Sequence, residues 1–437
     1  MSDARLTGEE LRDAWAVLST TERLEGFHHL ERSEADEFFL GLSTHDQAAM
    51  LRVMPSGERR LWLRLLAPDD AADLVQELPE EERPAFLGQL DEVSRREVAA
   101  LMAYAEDAAG GLMSPRFARL RPEMTVDEAI RYLRRQAREQ LETIYYAYVL
   151  DHEQRIRGVV TFRDLFTAPG ARPLTEVMHT AVISVPDTMD QEAVARVIAE
   201  HDLNALPVVD ADGRMKGIVT VDDIVDVVQH EATEDIQKLG GMEALDTPYM
   251  ETGFGAMVKK RGGWLAALFL GEMLTASAMA HYEHEIARAV VLTLFIPLII
   301  SSGGNSGSQA TTLIIRAMAL GEISGRDWWL IIRREIAAGL ALGAILATIG
   351  FVRVLVWQSL FHPYGASYVR IGVTVGFSLI GVVSWGTIAG SMLPFIVKRF
   401  GFDPATASAP FVATLVDVAG LIIYFNVAQV LLRGTLL

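Results

Sequence analysis

The sequence contains no cysteine in 437 residues. That excludes disulfides, thiolate metal sites and cysteine chemistry. It is also poor in positive charge, with 39 Lys and Arg against 57 Asp and Glu, a net charge of −18. An acidic balance of this size argues against nucleic acid as a partner and for cations. The deficit is uneven. Residues 1–260 hold 28 basic and 49 acidic side chains, whereas residues 261–437 hold 11 and 8. The last part therefore lacks charge of either sign. Residues 289–315 and 371–397 are each 27-residue runs without a charge, longer than the roughly 20 residues that cross a bilayer. No secretory leader is legible, because Met-Ser-Asp-Ala-Arg passes straight into a charged amphipathic pattern. The large soluble part is thus expected to stay in the cytosol.

From Glu9 to Ala109 apolar residues recur at helical spacing, as in Leu61, Leu65 and Leu66, then Leu74, Val75 and Leu78. Pro55, Pro68, Pro79 and Pro84 punctuate the pattern, which predicts short stacked helices. Asp69 or Asp70, and Pro79 before three glutamates, read as helix starts. Beyond this region the sequence repeats itself. Tyr-Val-Leu-Asp-His-Glu-Gln-Arg-Ile-Arg-Gly-Val-Val-Thr-Phe-Arg-Asp-Leu (148–165) returns as Pro-Val-Val-Asp-Ala-Asp-Gly-Arg-Met-Lys-Gly-Ile-Val-Thr-Val-Asp-Asp-Ile (207–224). Each copy predicts a helix (125–138; 189–200), a strand, a turn, a strand and a closing helix. Each is also led by a related segment, Leu-Met-Ser-Pro at 112–115 and Val-Met-His-Thr at 177–180. This duplication resembles a tandem pair of CBS domains.

A helix over 229–239, a Gly-Gly break and a short helix ending at Lys259, Lys260 and Arg261 then lead to the membrane. Five spans are expected, near 263–281, 289–318, 330–357, 369–397 and 405–432. Lys259, Lys260, Arg261, Arg316, Arg326, Arg333, Arg334, Lys398 and Arg399 fall on one side, and Arg288, Arg353, Arg370 and Arg433 on the other. The positive-inside rule puts the N-terminus in the cytoplasm and the C-terminus outside.

The second span carries Pro-Leu-Ile-Ile-Ser-Ser-Gly-Gly-Asn-Ser-Gly-Ser-Gln (297–309). Its glycines and Pro297 weaken a helix, and polar groups freed at membrane depth must line water or a cavity. The alternative is close helix packing through small residues. In the fifth span Asp417 stands half-way across with no basic residue near it in sequence. A lone carboxylate there costs about 3 kcal/mol and is expected to face an ion path, or else to be a hydrogen-bonded structural group. Glu272 in the first span fits either role. His281, His284 and Glu285 read as a solvated loop. One pore carboxylate and five helices are few for enclosing a path, and a twofold dimer supplies both deficits. Two copies of Asp417, with dipoles from Gly303, Gly304 and Asn305, suit Mg2+, which is held through one or two carboxylates with its water retained.

The Gly-Gly-Asn-Ser-Gly-Ser-Gln stretch, Asp-Pro-Ala (403–405), Pro-Phe-Val-Ala-Thr-Leu-Val-Asp-Val-Ala-Gly (410–420) and Asp-Asp-Ile…Glu-Ala-Thr-Glu-Asp-Ile (222–236) resemble the MgtE magnesium channel family. The resemblance covers the whole chain. It implies an all-α superhelical N-terminal domain (1–110), two α/β CBS domains (111–170 and 171–229), a plug or linking helix (230–261) and a five-helix transmembrane pore domain (262–437). It further implies a homodimer in a bacterial plasma membrane, with Asp417 holding hydrated Mg2+ beside backbone carbonyls near Ala413 and Gly420. Asp190, Glu192, Asp202, Asp223, Asp226, Glu231, Glu234 and Asp235 match regulatory Mg2+ positions. Asp69 and Asp73, one helical turn apart, are expected on the opposing face. Carboxylate surfaces repel when empty and are bridged by a divalent ion; the alternative is a merely solvated acidic surface.

Thr161 with Asp164, and Thr220 with Asp223, resemble an adenosine-ribose contact, with Tyr146 stacking on the base of ATP. The same pattern is a plain helix cap. The expected function is a Mg2+-gated channel that takes up Mg2+ and closes when cytosolic Mg2+ is high, with no catalysed reaction. Its rivals are a transporter of Co2+, Mn2+ or Ni2+, and a membrane-anchored nucleotide sensor.

Overall fold

A computed structural model describes residues 6–136, 141–245 and 247–434. The chain divides into two compact units, Met1–Glu231 and Ala232–Leu437.

The first unit opens with α1 (Gly8–Ala14), α2 (Thr20–His28), α3 (Arg32–Leu40), α4 (Thr44–Val53), α5 (Ser56–Leu63), α6 (Pro68–Glu77), α7 (Arg83–Leu87) and α8 (Glu92–Leu101). Local chemistry starts several of them. Thr7 with Glu10 and Ser19 with Glu22 form reciprocal capping boxes, and Ser43 and Asp91 cap α4 and α8, each satisfying amides that a helix start leaves free. Even-numbered helices stack successively, α2 on α4, α4 on α6 and α6 on α8. Phe27, Phe39, Leu51, Trp62 and Leu74 are buried between them. Two expected starts shift. α6 begins at Pro68 itself, with Asp69 and Asp70 in its first turn. Pro79 instead opens a turn closed by Glu82 N–H donating to its carbonyl at 2.8 Å, and the helix begins at Arg83.

After α9 (Ala109–Leu112), the repeat folds as β1 (Phe117–Leu120), α10 (Val126–Gln136), β2 (Thr143–Leu150), β3 (Ile156–Thr161) and α11 (Phe162–Thr167). It is followed by β4 (Val185–Pro186), α12 (Gln191–Glu200), β5 (Ala205–Val209), β6 (Met215–Thr220) and α13 (Val221–Leu239). The last two positions of the helix expected over 125–138 lie outside the described residues. In each three-stranded sheet the first pair is parallel and the second antiparallel.

The related leading segments are exchanged between copies. Ser114 trades both backbone hydrogen bonds with Ile218 of β6 (2.8 and 2.9 Å), and His179 does the same with Val159 of β3 (2.9 Å each). The equivalent glycines Gly158 and Gly217 admit these crossings. A Cβ on Gly158 would lie 2.7 Å from Met178 Sδ, and one on Gly217 2.7 Å from the Ser114 carbonyl oxygen. The expected boundary at 229/230 falls inside α13. No glycine or proline interrupts residues 221–239, and the helix ends only at Gly240-Gly241, where Gly241 takes φ +73°, a left-handed conformation suited to glycine.

Among the described residues of the second unit, five helices are long and apolar enough to cross a membrane: α14 (Phe254–His281), α16 (Ile296–Ala319), α17 (Trp328–Phe361), α18 (Tyr368–Arg399) and α19 (Ala409–Leu432), with α15 (Glu283–Arg288) between the first two. The separate short helix expected to end at Arg261 is absorbed into α14, which runs unbroken through Gly262 and Gly263. α18 is central, packing on α16, α17 and α19, while α14 packs chiefly on α19. The C-terminal half of α19 is fixed by the Tyr424 hydroxyl donating to the Leu292 carbonyl at 2.8 Å and by Phe425 stacked on Tyr282.

Candidate functional site

In the second unit Asp417 sits half-buried on α19. Its carboxyl stands near that of Glu272 on α14, close enough for the two negative charges to act on each other. Gly271 allows this approach, because a Cβ there would lie 2.8 Å from Thr414 Cγ2. Two carboxyls at mid-span, with no cation beside them in sequence, form a hard-oxygen site for a positive charge.

The glycine-rich stretch behaves differently from its first expectation. Residues 297–309 lie inside one unbroken helix, with Pro297 in its first turn where a missing N–H is harmless. Its hydroxyls divide: Ser308 reaches the Ala409 carbonyl at 3.3 Å, and Ser306 Oγ is buried with no hydrogen-bond partner among the described residues. Ser302 donates to the Leu298 carbonyl at 2.7 Å, and Thr311 to those of Gly307 and Gly390 at 3.0 and 2.9 Å. Gly303 and Gly307 face Gly386 and Gly390 across the α16–α18 crossing, where a Cβ on Gly386 would overlap the Gly303 carbonyl oxygen. Close packing through small residues is therefore the structural role of Gly303, which is buried against Val382 and Val416. Gly304 packs on Ala413, whose Cβ would lie 3.5 Å from a Cβ placed on the glycine, and Gly420 backs onto Val382. Asn305 and Gln309 are exposed on α16.

In the first unit α6, the segment before α9, α12 and α13 border a half-open cavity of about 330 Å³ lined by Asp69, Asp70, Asp73, Glu77, Glu106, Asp223 and Asp226, with Gln191 and His230. Four of the expected regulatory acids, Asp69, Asp73, Asp223 and Asp226, meet here. Asp70, Glu77 and Glu106, none of them expected as ligands from the sequence, join them. The spacing of Asp70 from Asp73, three residues along α6, was a usable signal, whereas Glu106 lies in a loop with none. Asp69 is only 5% exposed, and its Oδ1 has no hydrogen-bond partner among the described residues. Burial holds its carboxyl well above the usual carboxylate range, and repulsion from Glu142, Asp223 and Asp70 adds to the effect. Asp73 reaches cavity solvent but is ringed by protein; desolvation, then Asp70 and Glu106, push it up to about 7. Burial likewise pushes Asp223 up to about 7 against the lowering effect of its hydrogen bond from Thr220. Carboxylates forced together in this way favour uptake of either protons or a divalent cation. The donor set is almost wholly oxygen and fits Mg2+.

The other expected acids are placed elsewhere. Asp190 caps α12, accepting from the Glu192 amide at 3.0 Å, and Glu192 itself is exposed on the first turn. Asp202 is exposed in the turn after α12, at φ +50°. Glu231 accepts a hydrogen bond from Gln191 Nε2. Glu234 pairs with Lys238, and Asp235 lies on the same helix, α13.

Thr161 caps α11 in a reciprocal box with Asp164, whose Oδ2 also lies 3.2 Å from His179 Nε2. Thr220 is buried and donates through its amide and hydroxyl to Asp223. Tyr146 is the cross-strand neighbour of Thr161. The reciprocal cap is thus complete at Thr161, whereas at Thr220 the contacts run from the threonine to Asp223, which faces the acidic cavity as well.

Comparison with known proteins follows this division. The family model for the MgtE divalent cation transporter matches residues 296–427, that for the MgtE intracellular N domain 7–107, and that for the CBS domain 109–170 and 174–230. A magnesium transporter MgtE from Thermus thermophilus is 40% identical over 98% of this chain and 93% of its own length. The chain belongs to the MgtE family. An MgtE magnesium transporter from Enterococcus faecalis is 31% identical over 98% of this chain and 99% of its own. A crystal structure of the cytosolic domain of the Mg2+ channel MgtE with ATP is 41% identical, covering 51% of this chain and 90% of that one, at a TM-score of 0.47. The MgtE membrane match runs from α16 into α19 and includes Asp417, while Glu272 on α14 precedes it.

Proposed function

We propose that the chain is a gated Mg2+ channel that admits Mg2+ across a bacterial plasma membrane and closes when cytosolic Mg2+ is high. The observation that carries this reading is Asp417, a half-buried carboxylate in the middle of an apolar span and near Glu272. A membrane anchor has no use for either group. Kinship with magnesium transporters along the full chain supports Mg2+ as the cargo over Co2+, Mn2+ or Ni2+. In this reading two copies assemble as a homodimer in the bilayer, bringing Asp417, Ala413, Gly420, Gly304 and Asn305 toward a shared path. Gly303 contributes by setting the α16–α18 distance. The charge bias of the connecting segments supports a cytoplasmic N-terminus and an external C-terminus.

The acidic cavity is the sensor. When it is empty its carboxylates repel, and Mg2+ offsets that repulsion, so occupancy favours the closed arrangement. Asp190, Glu192, Asp202, Glu231, Glu234 and Asp235 are further ligands in this scheme, outside the cavity itself. ATP is the proposed second ligand of the CBS pair, with Tyr146 against its base and Thr161, Asp164 and Thr220 at its ribose.

The deciding experiment is Mg2+ flux through the full chain in liposomes as Mg2+ on the cytoplasmic-domain face is varied. Flux that falls as this Mg2+ rises through the millimolar range supports the reading. Absence of Mg2+ flux at every concentration rejects it.

A further inference from the structure

At the end of the membrane unit where α16 and α18 finish and α17 begins, Ile314, Met318, Ile331, Met392 and Phe395 pack together. Outside that cluster α17 and α18 diverge around a groove of about 560 Å³, larger than the acidic cavity. Its lining is apolar along one part, through Trp328, Ile332, Phe395 and Ile396, and cationic at its rim, through Lys398 and Arg399. No carboxylate lines it among the described residues. Both cations are exposed, and Trp328, 48% exposed, stands at the first position of α17. The acid nearest in sequence, Asp327, is engaged by Ser324, whose amide and hydroxyl donate to it at 2.8 and 2.7 Å. Arg326, Arg333 and Arg334 extend the positive field along the same end of α17.

We infer that this groove is a binding site for an anionic phospholipid. The observations specify both halves of the ligand. Amphipathic tryptophan at a helix end marks headgroup depth, and paired Lys and Arg at that depth attract phosphate. The apolar walls between α17 and α18 take the first methylenes of an acyl chain, which a free phosphate could not supply. Its described lining residues come from α17, α18 and the loop before α17, and none belongs to α16 or α19, the helices assigned to the shared ion path. Placing the lipid in the cytosolic leaflet rests on the orientation proposed above; the phosphate and acyl contacts themselves do not.

The test uses the full chain in phosphatidylcholine vesicles containing a minor fraction of acyl-brominated lipid, read by tryptophan quenching. The contribution of Trp328 is isolated by difference from W328F. Brominated phosphatidylglycerol should quench Trp328 at least about twofold more than brominated phosphatidylcholine. The double substitution Lys398→Gln and Arg399→Gln should abolish that preference, while Arg370→Gln, at the other end of α18, should keep it. Native mass spectrometry of the same proteins should show the matching loss of bound phosphatidylglycerol. Equal quenching by the two lipids, or a preference that survives in the double variant, overturns the site. Weak quenching by both would mean that a second copy covers the groove, and overturns it too. The readout is lipid contact, so lost Mg2+ flux with intact lipid preference would count against the transport reading alone.

Discussion

Lys238 Nζ lies 2.6 Å from Asp403 Oδ2 and also pairs with Glu234 one turn back on α13. Asp403 in turn caps the short helix that precedes α19, accepting from the Ala405 amide at 2.8 Å. Leu239 packs with Ala405, Ala407 and Ile315, and the left-handed Gly241 lies against Ser408 and Pro410 at the start of α19. The end of α13 is thereby fastened to the segment that launches the helix carrying Asp417.

This fastening makes a first prediction. Lys238→Ala removes a half-buried cation shared by two carboxylates, a change worth about 1–2 kcal/mol for pairs between the exposed and buried extremes. It also leaves Glu234 and Asp403 to repel. If the contact holds the closed arrangement, the variant should need about two- to fivefold more Mg2+ to close. Flux titrations in proteoliposomes check this, and an unchanged midpoint would separate the contact from gating.

At the mid-span pair the two acids should differ in weight. Asp417→Asn keeps shape but removes the charge that offsets dehydration of a cation, and should lower Mg2+ flux by about tenfold or more. Glu272→Gln leaves a polar group beside Asp417 and should cost only about two- to fivefold. Both variants should elute from a sizing column as the parent does. Full flux through a folded Asp417→Asn protein would remove that residue from the path.

How much of this was readable in one dimension depends on the range of the interaction. Spans α14 to α19 were legible because bilayer thickness converts directly into a length without charge. Asp417 stood out for the same reason. The CBS pair showed in its repeat, and even its exchanged leading segments were visible as related tetrapeptides, although nothing local says that Ser114 pairs with Ile218 rather than with its own copy. The glycine stretch was ambiguous because its partners, Gly386 and Gly390, are remote in sequence. Their matching spacing of four residues was the available clue. Asp69, Asp73, Asp223 and Asp226 are each legible separately, but the cavity that unites them with Glu106 comes from a tertiary arrangement that sets α6, α13 and the loop before α9 around one space.

That cavity should also make stability depend on pH. A carboxyl whose folded pKa is raised binds its proton more tightly folded than unfolded, so the folded form gains stability where that proton is retained. For Asp73 and Asp223 the gain is full below the ordinary carboxylate range near 4 and is lost progressively as pH rises to about 7. Cavity water screens part of it, because Asp73 is exposed to that water. Without divalent ions, the melting temperature of the cytoplasmic portion in the full chain should drop by about a few degrees between pH 6 and pH 8. Millimolar Mg2+ should restore it at pH 8 and matter less at pH 6, where protons compete for the same oxygens. A melting temperature that rises with pH in chelator would contradict the crowding of these acids.

Neutralising Asp69, Asp73 and Asp223 together as asparagines sets two effects against each other. Removing their charges relieves the repulsion that disfavours the empty cavity, which by itself favours the closed arrangement. It also removes the oxygens through which Mg2+ distinguishes closed from open, and a ligand with equal affinity for both states shifts neither. The two effects separate in a Mg2+ titration. Repulsion sets the level of flux when cytosolic Mg2+ is absent, whereas ligand loss sets the slope of closure. The triple variant should therefore conduct somewhat less than the parent in chelator, yet lose most of its Mg2+-dependent closure, and cells expressing it should accumulate Mg2+. Protease resistance of the full chain in detergent should likewise stop responding to Mg2+. A variant that still closes over the same Mg2+ range as the parent would move the sensor away from this cavity, toward Glu231, Glu234 and Asp235 on α13.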